Sequence, residues 1–116
     1  MFRVKLTIIL AFSAIAIAAC GSSEPVRFSI VESSDYESSL FRQHCAICHG
    51  PEGDGKTLDD GTIVPSLRMG EFKRVGEDAI REQISEGGNG MTPFRTQLTE
   101  REMRLLTDLV HNKLRQ

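Results

Sequence analysis

Cys45-Ala46-Ile47-Cys48-His49 decides how this 116-residue chain is read. On a helical turn, residues three apart share a face, so the two thiols address one edge of a flat ligand. That spacing, closed at once by a histidine, is the pattern of covalent c-type haem attachment. The thiols form thioethers with the two vinyl groups, and the imidazole is delivered to the iron as proximal ligand. Three other readings stay open and are weaker. A zinc site needs about four ligands, and the chain holds three Cys and three His in all, with no second pair at ligand spacing. A thioredoxin-like redox pair asks for a strand leading into the motif, whereas residues 36–44 read as helix. A Cys45–Cys48 disulfide would leave the histidine without a role.

Upstream, Arg3 and Lys5 precede an apolar run over residues 6–19, broken only by Thr7 and Ser13. As a helix the run would measure about 21 Å, short of the roughly 30 Å hydrocarbon core of a bilayer. It reads as an export signal and not as a span. It ends in Ile17-Ala18-Ala19-Cys20, which resembles the lipobox of bacterial lipoproteins. That resemblance implies cleavage before Cys20 and lipid chains on its sulfur, giving a membrane anchor. The alternative is an ordinary secretory signal cut near Ala19, which leaves Cys20 a free thiol. Two cysteines given to haem leave one over, and an exposed thiol outside the cytoplasm is a liability.

The chain then divides into a signal over residues 1–19, a lipidated Cys20 with a flexible tether over 20–34, and one domain over 35–116. Residues 21–34 are rich in Ser and Glu, and would reach roughly 48 Å if fully extended. Phe28-Ser29-Ile30 is the part able to pack as a short extended segment. Losing Arg3 and Lys5 takes the basic residues from 14 to 12 while all 16 acidic ones stay, so the mature chain carries a net charge of −4. That balance argues against nucleic-acid binding. No internal repeat is present, which excludes a multihaem array.

The domain reads as all-α, with three main helices and long loops. The first starts near Ser34, with Glu37 as its capping-box partner, and runs through Leu40 and Phe41 into the motif. A Gly-rich loop follows over residues 50–70. A structureless loop of that length is unusual, and a flat apolar cofactor would supply the core that it lacks. The second helix spans about Glu77 to Glu86, with acidic residues in its first turn and Gly87 as its stop; Ile80 and Ile84 share one face. The third begins at a Thr99/Glu102 capping box, and Met103, Leu106 and Val110 recur at helical spacing.

In order along the chain, Cys45-Ala46-Ile47-Cys48-His49-Gly50, Pro65-Ser66-Leu67, Gly90-Met91-Thr92-Pro93-Phe94 and Leu98-Thr99-Glu100-Arg101-Glu102 together resemble the class I, mono-haem cytochrome c family. The resemblance covers about residues 35–116 and implies that family's fold, with helices and loops wrapped around one covalently attached haem c per chain. It implies Met91, 42 residues after His49, as distal iron ligand. Gly87, Gly88 and Gly90 suit a close backbone approach there, and a soft thioether favours Fe(II). Met69 is the rival ligand, and Met103 reads as core. Pro65 is implied to accept a hydrogen bond from His49 Nδ1 through its carbonyl, which fixes the ring. The family often has Gly and an aromatic where this chain has Glu37 and Leu109, which leaves the crossing of the terminal helices unspecified. His44 and His111 read as solvent-facing.

The implied function is single-electron transfer by a membrane-anchored protein in the periplasm or on another extracytoplasmic face. Its partners would be a redox donor and a redox acceptor, with no small-molecule substrate and no catalysis. Arg42, Arg68 and Arg95 are candidates to steer a partner. The alternatives are a haem c subunit of a larger oxidoreductase complex, or a haem enzyme or gas-responsive protein whose distal ligand is displaceable.

Overall fold

The structure, a computed structural model, describes residues 26–115. The signal run and Cys20 lie outside the described residues. Among the described residues, four α-helices follow one another: α1 (Tyr36–His44), α2 (Ala46–His49), α3 (Glu77–Glu86) and α4 (Glu100–Asp108), the last continuing into a π-helical stretch, Leu109–Leu114. The domain is helical as expected, with one addition. The long loop carries a two-stranded antiparallel sheet, β1 (Lys56–Thr57) with β2 (Ile63–Val64), in the register Lys56↔Val64 and Thr57↔Ile63. The turn closing it is held by Leu58 N–H to Thr62 O at 2.8 Å and by Thr62 N–H to Asp60 Oδ1 at 2.9 Å.

The core lies where the terminal helices cross and α3 packs beside them. Leu40 and Phe41 of α1, Ile80 and Ile84 of α3, Met103 and Leu106 of α4, and Leu109, Val110 and Leu114 beyond it are all buried. Burying such side chains contributes about 1.5–3 kcal/mol each before entropy is counted. α4 begins as the sequence indicates. Thr99 Oγ1 accepts from Glu102 N–H, and the Glu102 carboxylate accepts from Thr99 N–H at 2.8 Å. α1 begins differently: its N-cap is Asp35, and neither a Ser34–Glu37 capping box nor any side-chain cap bond is formed. Glu37 is drawn away by a cation on the other terminal helix, the Lys113 ammonium at 2.7 Å, which also meets Asp35 at 3.0 Å. With Leu109 fully buried and Tyr36 donating to Glu102 at 2.6 Å, the crossing is built from an aliphatic contact and cross-helix polar ties. A glycine–aromatic pair is not needed.

The stretch expected to be tether is packed from Phe28 to Ser33. Ile30 is fully buried in the core, and Phe28 packs against it. The backbone of this strap is gripped by charge. The Glu52 carboxylate accepts from Ile30 N–H, Val31 N–H and Ser29 Oγ at 2.9–3.0 Å. Arg42 donates to the Ile30 and Ser33 carbonyls. Arg68, 7 % exposed, donates to Phe28 O at 3.0 Å, to the Glu52 carboxylate at 2.8 Å and to the Glu52 carbonyl. Arg68 is therefore a buried structural cation and not a surface steering group. Once its guanidinium is buried, each N–H needs an acceptor.

The Tyr36–Glu102 tie makes stability depend on acid. The Tyr36 hydroxyl, then Thr99 N–H and Thr99 Oγ1, hold the Glu102 carboxyl down to about 2 from its ordinary 4.5. Its depressed value means that the stabilisation is complete above pH 4.5 and is lost as pH falls toward 2. Tyr36→Phe is expected to unfold more easily than the native chain at neutral pH. That gap should narrow between pH 4.5 and 2, as followed by denaturant titration with far-UV circular dichroism.

Candidate haem site

α1 stops at His44 because Cys45, at φ −113° and ψ −38°, departs from regular helix geometry, yet it serves both flanking helices. Its N–H donates to Phe41 O at 2.8 Å, and its carbonyl accepts from Cys48 N–H at 3.1 Å and His49 N–H at 2.9 Å. The motif is thus folded as one helical turn, the conformation in which positions three apart share a face. Cys45 and Cys48 are both free thiols, Cys45 half-buried and Cys48 exposed. Burial, and secondarily the neighbouring Cys48, push the Cys45 thiol up to about 12, so it stays protonated at neutral pH. A thiol in that state is a poor partner for disulfide exchange.

Gly50, at φ +80°, turns the chain sharply after His49. Gly55 N–H then donates to His49 O at 2.9 Å. A Cβ on Gly55 would lie 2.5 Å from Val64 O and 2.9 Å from the Pro65 carbonyl carbon, so only glycine lets that segment close on the motif. Pro65 is in this way brought beside the backbone that follows His49. The expected bond is not made, however: His49 Nδ1 is buried and has no hydrogen-bond partner among the described residues. Pro65 is positioned by backbone packing on Gly55 and by the neighbouring Leu67 N–H to Gly53 O bond, and the imidazole plays no part in placing it. Burial also lowers the His49 pKa, which favours the neutral ring that binds metals.

Met91 stands at the last corner of a tight turn. Gly88 N–H donates to Met91 O at 2.9 Å and Met91 N–H to Gly88 O at 3.0 Å. The two central residues, Asn89 at φ +52° and Gly90 at φ +87°, give the mirror-image turn that Asn-Gly favours. Phe94 N–H returns to Ile84 O at 3.0 Å, tying the loop to α3. The Phe94 ring meets the His44 imidazole edge-on, with centroids 6.1 Å apart. This contact joins the Met91 loop to the residue preceding Cys45, and it makes His44 half-buried instead of solvent-facing. His111, also half-buried, lies 3.6 Å from Glu77. Among the described methionines, Met69 is 74 % exposed and Met103 is core, while Met91 is half-buried against the core.

Of the proposed steering residues, Arg68 is buried, Arg42 is bonded to the strap and Arg95 is paired with Glu86. Two side chains with local roles escaped the sequence reading. Glu52, in a loop, anchors the strap. Gln83, on the last turn of α3, reaches the Gly87 and Gly88 carbonyls and the Met91 sulfur. A polar residue placed one turn before a Gly-rich stop was the available signal for the second.

The residues present suit a haem. Two free thiols stand on one helical turn, a half-buried imidazole with lowered basicity follows them, and one methionine is half-buried. Cys45, Ala46, Leu67, Met91 and Phe94 add a half-buried apolar set against the core. Comparison with known proteins agrees. The family described as cytochrome c oxidase, cbb3-type, subunit III matches residues 38–110. The solved structure of the KustC0563 c-type cytochrome is 31 % identical over 67 % of this chain and 95 % of its own, with a TM-score of 0.58. No curated protein matches. Matched through both the Cys45–His49 turn and the Met91 loop, the chain belongs to the c-type cytochromes, in the family of the cbb3-type subunit III domain, and is a haem c electron-transfer protein.

Proposed function

We propose that this protein is a membrane-anchored, mono-haem electron carrier that holds haem c through Cys45 and Cys48, with His49 and Met91 as axial ligands. The observation that carries this reading is the placement of Met91. It is half-buried on a turn fixed by two backbone bonds, and Phe94 of the same loop touches His44 beside the attachment turn. When bound, haem supplies a one-electron Fe(III)/Fe(II) couple. His49 contributes a neutral imidazole, and Met91 contributes a soft thioether that raises the potential. With both ligands kept in each oxidation state, no substrate has to reach the metal, and donor and acceptor are redox proteins.

Cys20 carries the lipid in this reading, placing the domain on a periplasmic or other extracytoplasmic membrane face. No helix among the described residues is long and apolar enough to cross a membrane. A second reading has a specific support: the matching family is described as an oxidase subunit. In that case the domain would co-purify with a larger complex from detergent-solubilised membranes, whereas a free carrier would not.

The test is an optical spectrum of the matured protein beside Met91→Ala. The native chain is expected to be low-spin with a sulfur-to-iron charge-transfer band, and the band should vanish in the variant. A band that persists in Met91→Ala would assign the ligand to Met69.

A further inference from the structure

The segment that carries Met91 is held in an expensive conformation. Gly87, Gly88, Asn89 and Gly90 have φ values of +67°, +98°, +52° and +87°, four successive residues in the left-handed half of backbone space. Glycine has the most freedom to lose on ordering, and Asn is among the few other residues that tolerate such angles. The turn's own two backbone bonds link Gly88 to Met91 only. Neither bond holds the Gly87 carbonyl on the approach to it.

Gln83 holds it. It sits half-buried on the last turn of α3, and its Nε2 lies 2.8 Å from Gly87 O, 3.1 Å from Gly88 O and 3.9 Å from Met91 Sδ. Its Oε1 accepts from Arg74 Nε at 3.3 Å. The orientation of the carboxamide is fixed by these neighbours. Reversed, its oxygen would face two carbonyl oxygens and its NH2 would face a guanidinium. Two N–H groups thus serve three acceptors, and the sulfur takes the longest share.

We infer that Gln83 is a positioning residue for Met91: its carboxamide fixes the turn that presents the thioether and directs an N–H at the sulfur. This rests on Met91 as distal ligand. Two consequences follow from elementary chemistry. An N–H on a sulfur lone pair draws density from it, which weakens the thioether as a donor to Fe(III) more than to Fe(II) and raises the potential. Holding the Gly-rich turn in place also lowers the entropy that Met91 loses on binding iron, so the sulfur competes better against other ligands. Arg74, donating to the carbonyl end of the amide, polarises it and strengthens both effects.

The experiment compares the haem-loaded native protein with Gln83→Leu, which keeps the bulk and removes both N–H donors, and with Met91→Ala. In Gln83→Leu the midpoint potential is expected to fall, and added imidazole to displace the sulfur several-fold more readily. An unchanged potential and unchanged imidazole competition, with the sulfur-to-iron band still lost in Met91→Ala, would overturn the inference and leave the ligand assignment standing. A band retained in Met91→Ala would overturn both. A second measurement needs no variant: in the reduced native protein, 15N-resolved NMR should find the Gln83 side-chain amide protons protected from exchange. Exchange at the free-amide rate would overturn the inference even where Gln83→Leu fails to fold.

Discussion

Cys45→Ala/Cys48→Ala, exported and matured beside haem-attachment machinery, is expected to yield a polypeptide with no covalently held tetrapyrrole. Acid extraction followed by mass spectrometry should return the bare chain from the double variant and the chain plus one haem from the native protein. Each single variant should retain at most one thioether and release more of its haem under denaturing conditions. Cys45, half-buried and protonated, is the more constrained of the two sulfurs, and Cys48 is the exposed one. The effect should extend to stability. The buried core is modest, and Cys45, Ala46, Leu67, Met91 and Phe94 are only half-covered by protein; haem is the apolar mass able to complete their burial. A haem-sized mass increment surviving in the double variant would remove the basis for the attachment site.

Gly87→Ala is expected to disrupt the Met91 loop severely. A Cβ there would sit 2.4 Å from Met91 O, 2.7 Å from Pro93 N and 2.9 Å from Thr92 C, all backbone atoms that no rotamer change can move aside. Gly87 also has φ +67°, which costs a non-glycine residue about 1–3 kcal/mol by itself. The Met91–Pro93 segment must therefore move. A fall in thermal stability should be accompanied by loss of the sulfur-to-iron band, even though Met91 itself is unaltered. Gly88→Ala is the informative control. Its φ is also positive, but nothing lies within 4 Å of the added Cβ, so it should cost the backbone term and largely spare the band. Equal damage from both substitutions would mean that contact with Met91 is not what Gly87 protects.

What could be read from the residues was local. α3 runs from Glu77 to Glu86 as its acidic first turn and Gly87 indicate, and α4 starts at the Thr99/Glu102 box, because those signals act within one turn of the chain. The attachment turn and the Gly-rich approach to Met91 were legible for the same reason. What escaped the sequence depends on partners far along the chain. Glu37 gives up a capping role because Lys113 waits 76 positions away, and Arg68 is buried because Glu52 and Phe28 surround it. Ile30 is a core residue whose backbone is held by the Glu52 carboxylate and the Arg42 guanidinium. The His49–Pro65 expectation fell short for a related reason: Gly55 brings the two segments together, but proximity of backbones does not aim a ring nitrogen at a carbonyl.

The Glu52–Arg68 clasp also bears on the reach that the proposed anchor would allow. With Phe28 pinned to the domain, only the residues up to Arg27 separate it from the proposed anchor at Cys20, a length that spans at most about 24 Å, half of what residues 21–34 would allow. On that proposal the redox centre would stay close to the bilayer, and a donor and an acceptor would both have to come within that short radius.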